Sequence, residues 1–372
     1  MRRSVKVVIS CHVEFGYAAN SVVFDRQERK GALEGLECCI RIAKEFDARV
    51  SLMIMPEVVE TIKGLDLGDN GIGLHIHPED SHLRKRSLGG FRALRDYDFL
   101  EQKAMISAGK EIIDEIVGVT PKSFVAGKWS VDNNTVRALV ELGFSHDCSP
   151  CPGFASVNCD WRKLPRMCMP YKVSHLDYQS SGTMNLVMVP VSKEIIGGVI
   201  SPENRIGLAF LKAAFQEYYD SGCPVVHIAL HSPSMTSRHY RKLFNKLLKH
   251  ISKHNVTFCL AEDIETAESR VPPRARLLPY IRNLDAEALS YLAGNAFRRL
   301  VQRRYRWSKG EMSFRPIMTP QDTTIVQDIQ DSYIHRSWRS FIAKKVQARS
   351  RGAPVLDAGC GTCEHAKSAA LA

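Results

Sequence analysis

The chain has 372 residues, of which 44% are hydrophobic and 24% charged, so it can bury one large barrel-sized core or two ordinary domains. It contains no run of about 18 apolar residues, which argues against a membrane-spanning helix. The formal charge of +11 is uneven: residues 271–372 hold 17 Lys and Arg against 8 Asp and Glu, a net of +9, leaving 34 against 32, or +2, for residues 1–270.

In chain order, Val5 to Ser10 reads as a first strand; the basic start at Arg2-Arg3 has too short an apolar run for a signal peptide. Without export the 11 cysteines are expected in a reducing cytoplasm, as thiols or metal ligands. Gly31 to Phe46 has helical periodicity, with Leu33, Leu36, Ile40 and Ala43 on one face, and Val50 to Met55 reads as a second strand. Gly71 to His77 is a third, stopped by Pro78. A long helix follows over Phe99 to Val117, then a strand over Ser123 to Trp129. Asp132 is placed to cap a helix that Gly143 ends. Further strands are expected at Asn185 to Pro190, Pro224 to Leu230 and Val256 to Leu260, with helices at Arg205 to Tyr219 and Tyr240 to Lys253. Such βα alternation implies a largely parallel sheet, closed or nearly closed into a barrel.

Polar residues cluster just past the C-terminal ends of these strands, where βα barrels assemble their chemistry. His12 and Glu14 follow the first strand, His75 and His77 end the third, Lys128 ends another and His231 closes Val225 to Leu230. Alternation puts His75 and His77 on one side of their strand. A hydrogen-bonded pair of core histidines is the plain alternative. With Glu14, however, the pair offers three ligands and an open position, the pattern of a catalytic divalent site. Cys148, Cys151, Cys159 and Cys168 could hold a structural zinc, but their spacing matches no standard knuckle and buried free thiols are the simpler reading.

The ordered set Ile9-Ser10-Cys11-His12-Val13-Glu14, Gly73-Leu74-His75-Ile76-His77-Pro78, Ser123-Phe124-Val125-Ala126-Gly127-Lys128-Trp129-Ser130, Asp160-Trp161 and Leu230-His231 resembles the polysaccharide deacetylases, the NodB-like carbohydrate esterases (family 4). The resemblance covers roughly residues 4 to 265. It implies an α/β fold, a distorted (β/α)7 barrel holding a divalent metal, usually Zn2+, and hydrolysis of the acetamide of an N-acylated saccharide. Carried over by position, Glu14, His75 and His77 are the expected metal ligands, and His82 is a reserve ligand because the family spaces its two histidines more widely. His231 falls at the general acid that protonates the departing amine, and Asp160 at the acidic residue that orients it. Lys128, Trp129 and Trp161 are expected to meet the substrate. Two positions depart from the family: His12 stands where an aspartate base belongs, and Val125 where an arginine orients that base. A neutral histidine needs no cationic partner, so the paired change fits a working base as well as a lost reaction.

Pro272-Pro273 marks an expected boundary between a barrel domain at 1–270 and a helical, basic extension at 271–352. The run Phe297 to Trp307 could meet an anionic membrane surface, a solvated helix face being the commoner role; no nucleic-acid function is expected. Residues 353–372, with Leu356-Asp357-Ala358-Gly359-Cys360-Gly361, resemble the opening turn of a class I S-adenosylmethionine-dependent methyltransferase, cut short. Three functions follow as expectations: a cytoplasmic metal-dependent amidohydrolase acting on a glycan precursor, a non-catalytic carbohydrate-binding barrel, and the N-terminal part of a deacetylase-methyltransferase fusion.

Overall fold

The structure, a computed structural model, describes residues 4–15, 26–78, 86–87, 90–91, 93–204, 207–267, 276–282 and 289. The expectations for His82, the basic run at 297–307 and the methyltransferase-like turn lie outside these residues.

The element order is β1 (Val5–Val13), α1 (Arg26–Lys44), β2 (Ser51–Ile54), a single-turn α2 (Val59–Ile62) and β3 (Gly71–Ile76). A two-stranded hairpin, β4 (Arg86–Ser87) with β5 (Gly90–Phe91), belongs to a separate compact unit. The main unit resumes with α3 (Phe99–Val117), β6 (Ser123–Ala126), α4 (Asn133–Glu141), β7 (His146–Asp147), β8 (Tyr171–Lys172) and β9 (Val187–Met188). It continues through α5 (Leu208–Asp220), β10 (Val225–His231), α6 (Arg238–Ile251), β11 (Val256–Cys259) and α7 (Leu278–Arg282).

Seven strands run in the parallel order β10-β1-β2-β3-β6-β7-β9, with β8 antiparallel on β9. This is the largely parallel α/β sheet that the strand and helix periodicities imply, in the distorted (β/α)7 form that the motif resemblance implies. Between β9 and β10 individual bonds replace a ladder: Ser192 N–H donates to the His227 carbonyl at 3.0 Å, and His227 N–H to Ser192 Oγ at 2.9 Å. β1 lies at the centre, nearly all of it buried. One edge pairs with β10; the other is shared between β11 at Val5–Val8 and β2 at Ser10–Val13.

Local chemistry fixes the helix ends. Asp98 and Glu101 make a reciprocal capping box for α3, and Gly118 ends it in the left-handed region. Asp132 accepts from Thr135 N–H to start α4, as its cap position implies. Gly35 in α1 is a close-approach position, since a Cβ there would sit 1.8 Å from the Ser232 carbonyl oxygen. Glycine thus lets α1 lie directly on the turn that follows His231.

The strand expected through Trp129 ends at Ala126, where a 3-10 turn takes over with Lys128 (φ 54) and Trp129 (φ 59) both left-handed. Residues 276–282, beyond the composition break at Pro272, also pack on the barrel. Tyr280 of α7 is buried against the Phe210 ring, centroids 4.7 Å apart, and its hydroxyl donates to Glu217 Oε2 at 2.7 Å. Arg276 N–H and the Arg166 guanidinium complete the coordination of this fully buried carboxylate. Because an unpaired buried charge is costly, residues 276–282 belong to the barrel's packing.

Asp147, at the end of β7, is fully buried; Oδ1 accepts from Ser149 N–H at 2.8 Å, while Oδ2 has no hydrogen-bond partner among the described residues. Burial pushes its pKa up to about 7, against the bonds from Ser149, which favour the carboxylate. The folded-state value lies above the unfolded one, so this contribution is complete below about pH 4 and is lost as pH rises toward 7. At about 1.4 kcal/mol per pH unit the loss is on the order of 4 kcal/mol as an upper figure. Asp147→Asn should therefore stabilise the protein at pH 8 and lose that advantage at pH 4, measured by denaturant unfolding. A difference between the two proteins that does not change with pH would remove Asp147 as the titrating group.

Candidate metal centre and active site

β1 delivers His12 and Glu14 to one end of the barrel, β3 delivers His75 and His77, and β10 delivers His231. The register puts His12 opposite His231 across β1 and β10, and His75 opposite Val125 across β3 and β6. Ser232 Oγ accepts from Glu14 N–H at 3.3 Å, clipping the end of β1 to the start of the next turn. Gly127 has no side chain for a reason visible here: a Cβ would lie 2.5 Å from the His77 ring.

Glu14, His75 and His77 are all buried, and each offers a ligand atom within 4.8 Å of the others, the one such cluster among the described residues. Glu14 Oε2 lies 3.1 Å from His75 Nε2 and 3.4 Å from His77 Nε2. Those separations match the spacing of about 3.3 Å between neighbouring ligands held tetrahedrally at about 2.0 to 2.1 Å from zinc. The tautomer of His75 sharpens the fit. Its Nδ1 faces the Val125 carbonyl at 3.0 Å, which can only accept, so Nδ1 carries the proton. Burial holds the His75 pKa below its ordinary value, the charge of the Glu14 carboxylate notwithstanding, which keeps the ring neutral. Its Nε2 is then a bare lone pair facing a carboxylate oxygen, and two acceptors in contact call for a cation between them. The Val125 carbonyl acts as the outer partner that orients a metal-binding imidazole. The residues present therefore fit a divalent ion.

His12 and His231 flank this cluster. The His12 ring centroid is 4.8 Å from those of both His75 and His231, and 5.5 Å from that of Trp129. His12 is 3% exposed, and its Nε2 has no hydrogen-bond partner among the described residues. Desolvation, followed by the charge of His231, pushes its pKa well below the ordinary value, so the ring is neutral. His231 is the opposite case. Desolvation disfavours its charged form, but the carboxylates of Glu203 and Glu14 outweigh that and push its pKa up to about 9. Glu203 Oε2 is 2.7 Å from His231 Nδ1, and Oε1 accepts from His231 N–H at 2.6 Å. Glu14 itself is held well below the carboxylate range; its burial works the other way but is overcome, chiefly by the charge of His231.

The carboxylate that accepts from His231 is thus Glu203, where the resemblance implies Asp160. Asp160 is instead engaged by its neighbour Arg162, at 2.6 Å and 2.9 Å, two residues along the same loop. Only the long-range fold brings Glu203 to β10; its one local signal is a carboxylate in the Ser201-Pro202-Glu203-Asn204 loop before α5. Of the residues expected to meet substrate, Trp129 reaches His12, and Lys128 is exposed beside it. Trp161 is wholly buried, and its Nε1–H donates to the Trp129 carbonyl at 2.9 Å. It buttresses a turn in which two left-handed residues cost about 1 to 3 kcal/mol each. Cys148, Cys151, Cys159 and Cys168 are free thiols that do not converge on a metal site.

No family model and no curated protein matches the chain. Among solved structures it is similar to a protein assigned as a polysaccharide deacetylase from Mycobacterium smegmatis, at 16% identity and a TM-score of 0.49, covering 74% of this chain and 96% of that one. A second, assigned as a polysaccharide deacetylase from Pseudomonas aeruginosa, gives 15% identity and a TM-score of 0.47 over 70% of this chain and 89% of that one. A third, the 4-alpha-glucanotransferase of Thermococcus litoralis, gives 11% and 0.45 over 70% of this chain and 40% of that one.

Two substitutions test the metal centre through metal content alone. After reconstitution with zinc and desalting, the native protein should retain about one ion per chain. His75→Ala, which removes a ligand, and Gly127→Ala, which drives a methyl group into the His77 ring, should both fall well below that by elemental analysis. Undiminished zinc in His75→Ala would remove this cluster as the binding site.

Proposed function

We propose that the protein is a metal-dependent amidohydrolase that removes an acyl group, acetyl in the simplest case, from the nitrogen of an N-acylated sugar. The observation that carries the reading is the placing of two imidazoles, His12 with no hydrogen-bond partner at Nε2 among the described residues and His231 bonded to the Glu203 carboxylate, on either side of the Glu14, His75 and His77 cluster. Amide hydrolysis needs one group to take a proton from water and another to give one to the nitrogen, because an amine anion is a very poor leaving group. Two titratable groups whose surroundings push their pKa values apart supply that division of labour. The motif resemblance directs the reading toward an N-acylated saccharide.

In this reading Glu14, His75 and His77 hold the ion, most simply Zn2+. The ion, when bound, supplies a Lewis acid and lowers the pKa of water toward neutrality. His12 accepts the proton of the attacking water at Nε2, the atom with no hydrogen-bond partner among the described residues. His231 donates from Nε2 to the departing nitrogen, while Glu203 fixes its ring through Nδ1 and the backbone N–H. The imidazole at position 12 needs no arginine at position 125, because a neutral base requires no cation to hold it. That frees position 125 for a buried valine whose carbonyl serves His75. Trp129 closes the far side of His12, and Lys128 stands at the exposed rim.

The test is acetate release from N-acetylated amino sugars by the zinc-loaded protein. His12→Ala should lower kcat by about 10²- to 10⁴-fold, the range for loss of a general base. Glu203→Gln should lower it less, about tenfold or more, with KM little changed, because it acts through His231. If His12→Ala turns over as fast as the native protein, His12 is not the base; if the loaded native protein binds sugars and releases no acetate, a carbohydrate-binding role replaces hydrolysis.

A further inference from the structure

We propose that the outward face of α6 is a binding track for a linear anionic glycan, one chain with the sugar held at the β10 end; this rests on the glycan reading above and adds the substrate's charge. Arg238, Lys242, Lys246 and Lys249 recur at intervals of four, four and three, so they share one side of the helix, and all are exposed. Exposed Lys253, just past the helix, follows at the next interval of four. At about 1.5 Å per residue the line from Arg238 to Lys249 is about 16 Å long, the scale of a few sugar units. The opposite face, with Phe244, Leu247, Leu248 and Ile251, is buried and anchors the helix. No Asp or Glu occurs between Arg238 and Ile251. Because residues 1–270 carry a net charge of only +2, this line is a local concentration of charge and no reflection of a generally basic body.

Its position ties it to the site. β10 ends at His231, a 3-10 turn spans Ser232–Thr236, and α6 starts at Arg238, so the track begins at the end of the barrel where the site lies. A chain with one residue at His231 could continue over this turn onto the helix. Cations there would also draw a polyanion toward the site.

The occupant's shape follows from the neighbours. The line is one residue wide, and α1 beside it exposes a mixed face, Glu34, Glu37 and Glu45 with Arg41 and Lys44, Glu45 Oε2 accepting from Asn245 Nδ2 of α6 at 2.8 Å. A flat anionic membrane would meet these acids together with the cations, whereas a linear polymer lying along α6 meets the cations alone. A single-stranded nucleic acid would want aromatic rings to stack on. The aromatics of α6 are otherwise engaged: Phe244 is buried, and Tyr240 is half-buried with its ring 5.4 Å from that of His239.

The experiment measures binding of a fluorescent decamer of uronic acid to the full chain at low salt, with a neutral glucan of equal length for comparison. We expect the uronate to bind, the glucan not to, and the affinity to fall steeply as salt rises. Lys242→Glu/Lys246→Glu/Lys249→Glu should weaken binding at least tenfold. Reversing tail charges instead, with Arg298→Glu/Arg299→Glu/Arg303→Glu, should change it less than twofold. The single variant Lys246→Glu, at an exposed position, should still lose about two- to threefold if the triple variant folds poorly. No uronate binding, loss confined to the tail variant, or tighter binding of anionic vesicles or of single-stranded DNA to the same face would each overturn the proposal. Because binding is read without turnover, an inactive protein that binds the uronate would defeat hydrolysis alone. An active protein that ignores the uronate would defeat the track alone.

Discussion

The site depends on one buried charge. Glu14 ends the central strand, is 3% exposed, and is kept ionised in surroundings that would otherwise neutralise it. A carboxylate taken out of water costs several kcal/mol unless it is paired. The imidazole groups of His75, His77 and His231 converge on it, and His75, neutral with its proton turned toward Val125, offers it a lone pair and no hydrogen. A divalent ion would satisfy Glu14, His75 and His77 together.

The fold makes that convergence possible by holding three strands in strict register. β1 is flanked along its length by β10 on one side and by β11 and β2 on the other, so it cannot slip without breaking all three ladders. That fixes His12 against His231. The Gly35 contact presses α1 onto the turn after His231, and the Ser232 hydroxyl ties the same turn to Glu14. Two left-handed residues at Lys128 and Trp129 bring an indole against His12, and Trp161 supports them from below. Position and strain at this end of the barrel thus serve side chains that carry no apolar packing role.

Much of this was legible in the sequence because strand geometry is regular. Apolar runs of five to seven residues, separated by amphipathic helices, place polar residues at strand ends, and the period of two puts His75 and His77 on one side. His12, Glu14 and His231 were legible for the same reason. What depended on distant contacts was not. Glu203 and Asp160 are both carboxylates in loops; nothing local tells which one folds back onto β10, and Asp160 is taken by Arg162 two residues away. Trp161 reads as a candidate binding residue because it stands in the Asp160-Trp161 motif of the resemblance, yet its burial follows from a loop conformation no periodicity encodes. The boundary near Pro272 is a real break in composition, but the demand of Glu217 for partners draws Arg276 and Tyr280 back onto the barrel.

The most direct test is anomalous diffraction at the zinc edge from crystals of the zinc-reconstituted protein. The account predicts a single peak about 2.0 to 2.2 Å from a Glu14 carboxylate oxygen and from Nε2 of both His75 and His77, with His75 Nδ1 still bonded to the Val125 carbonyl. An ordered site without a peak, in which His75 carries a proton on Nε2 and donates it to Glu14, would contradict it.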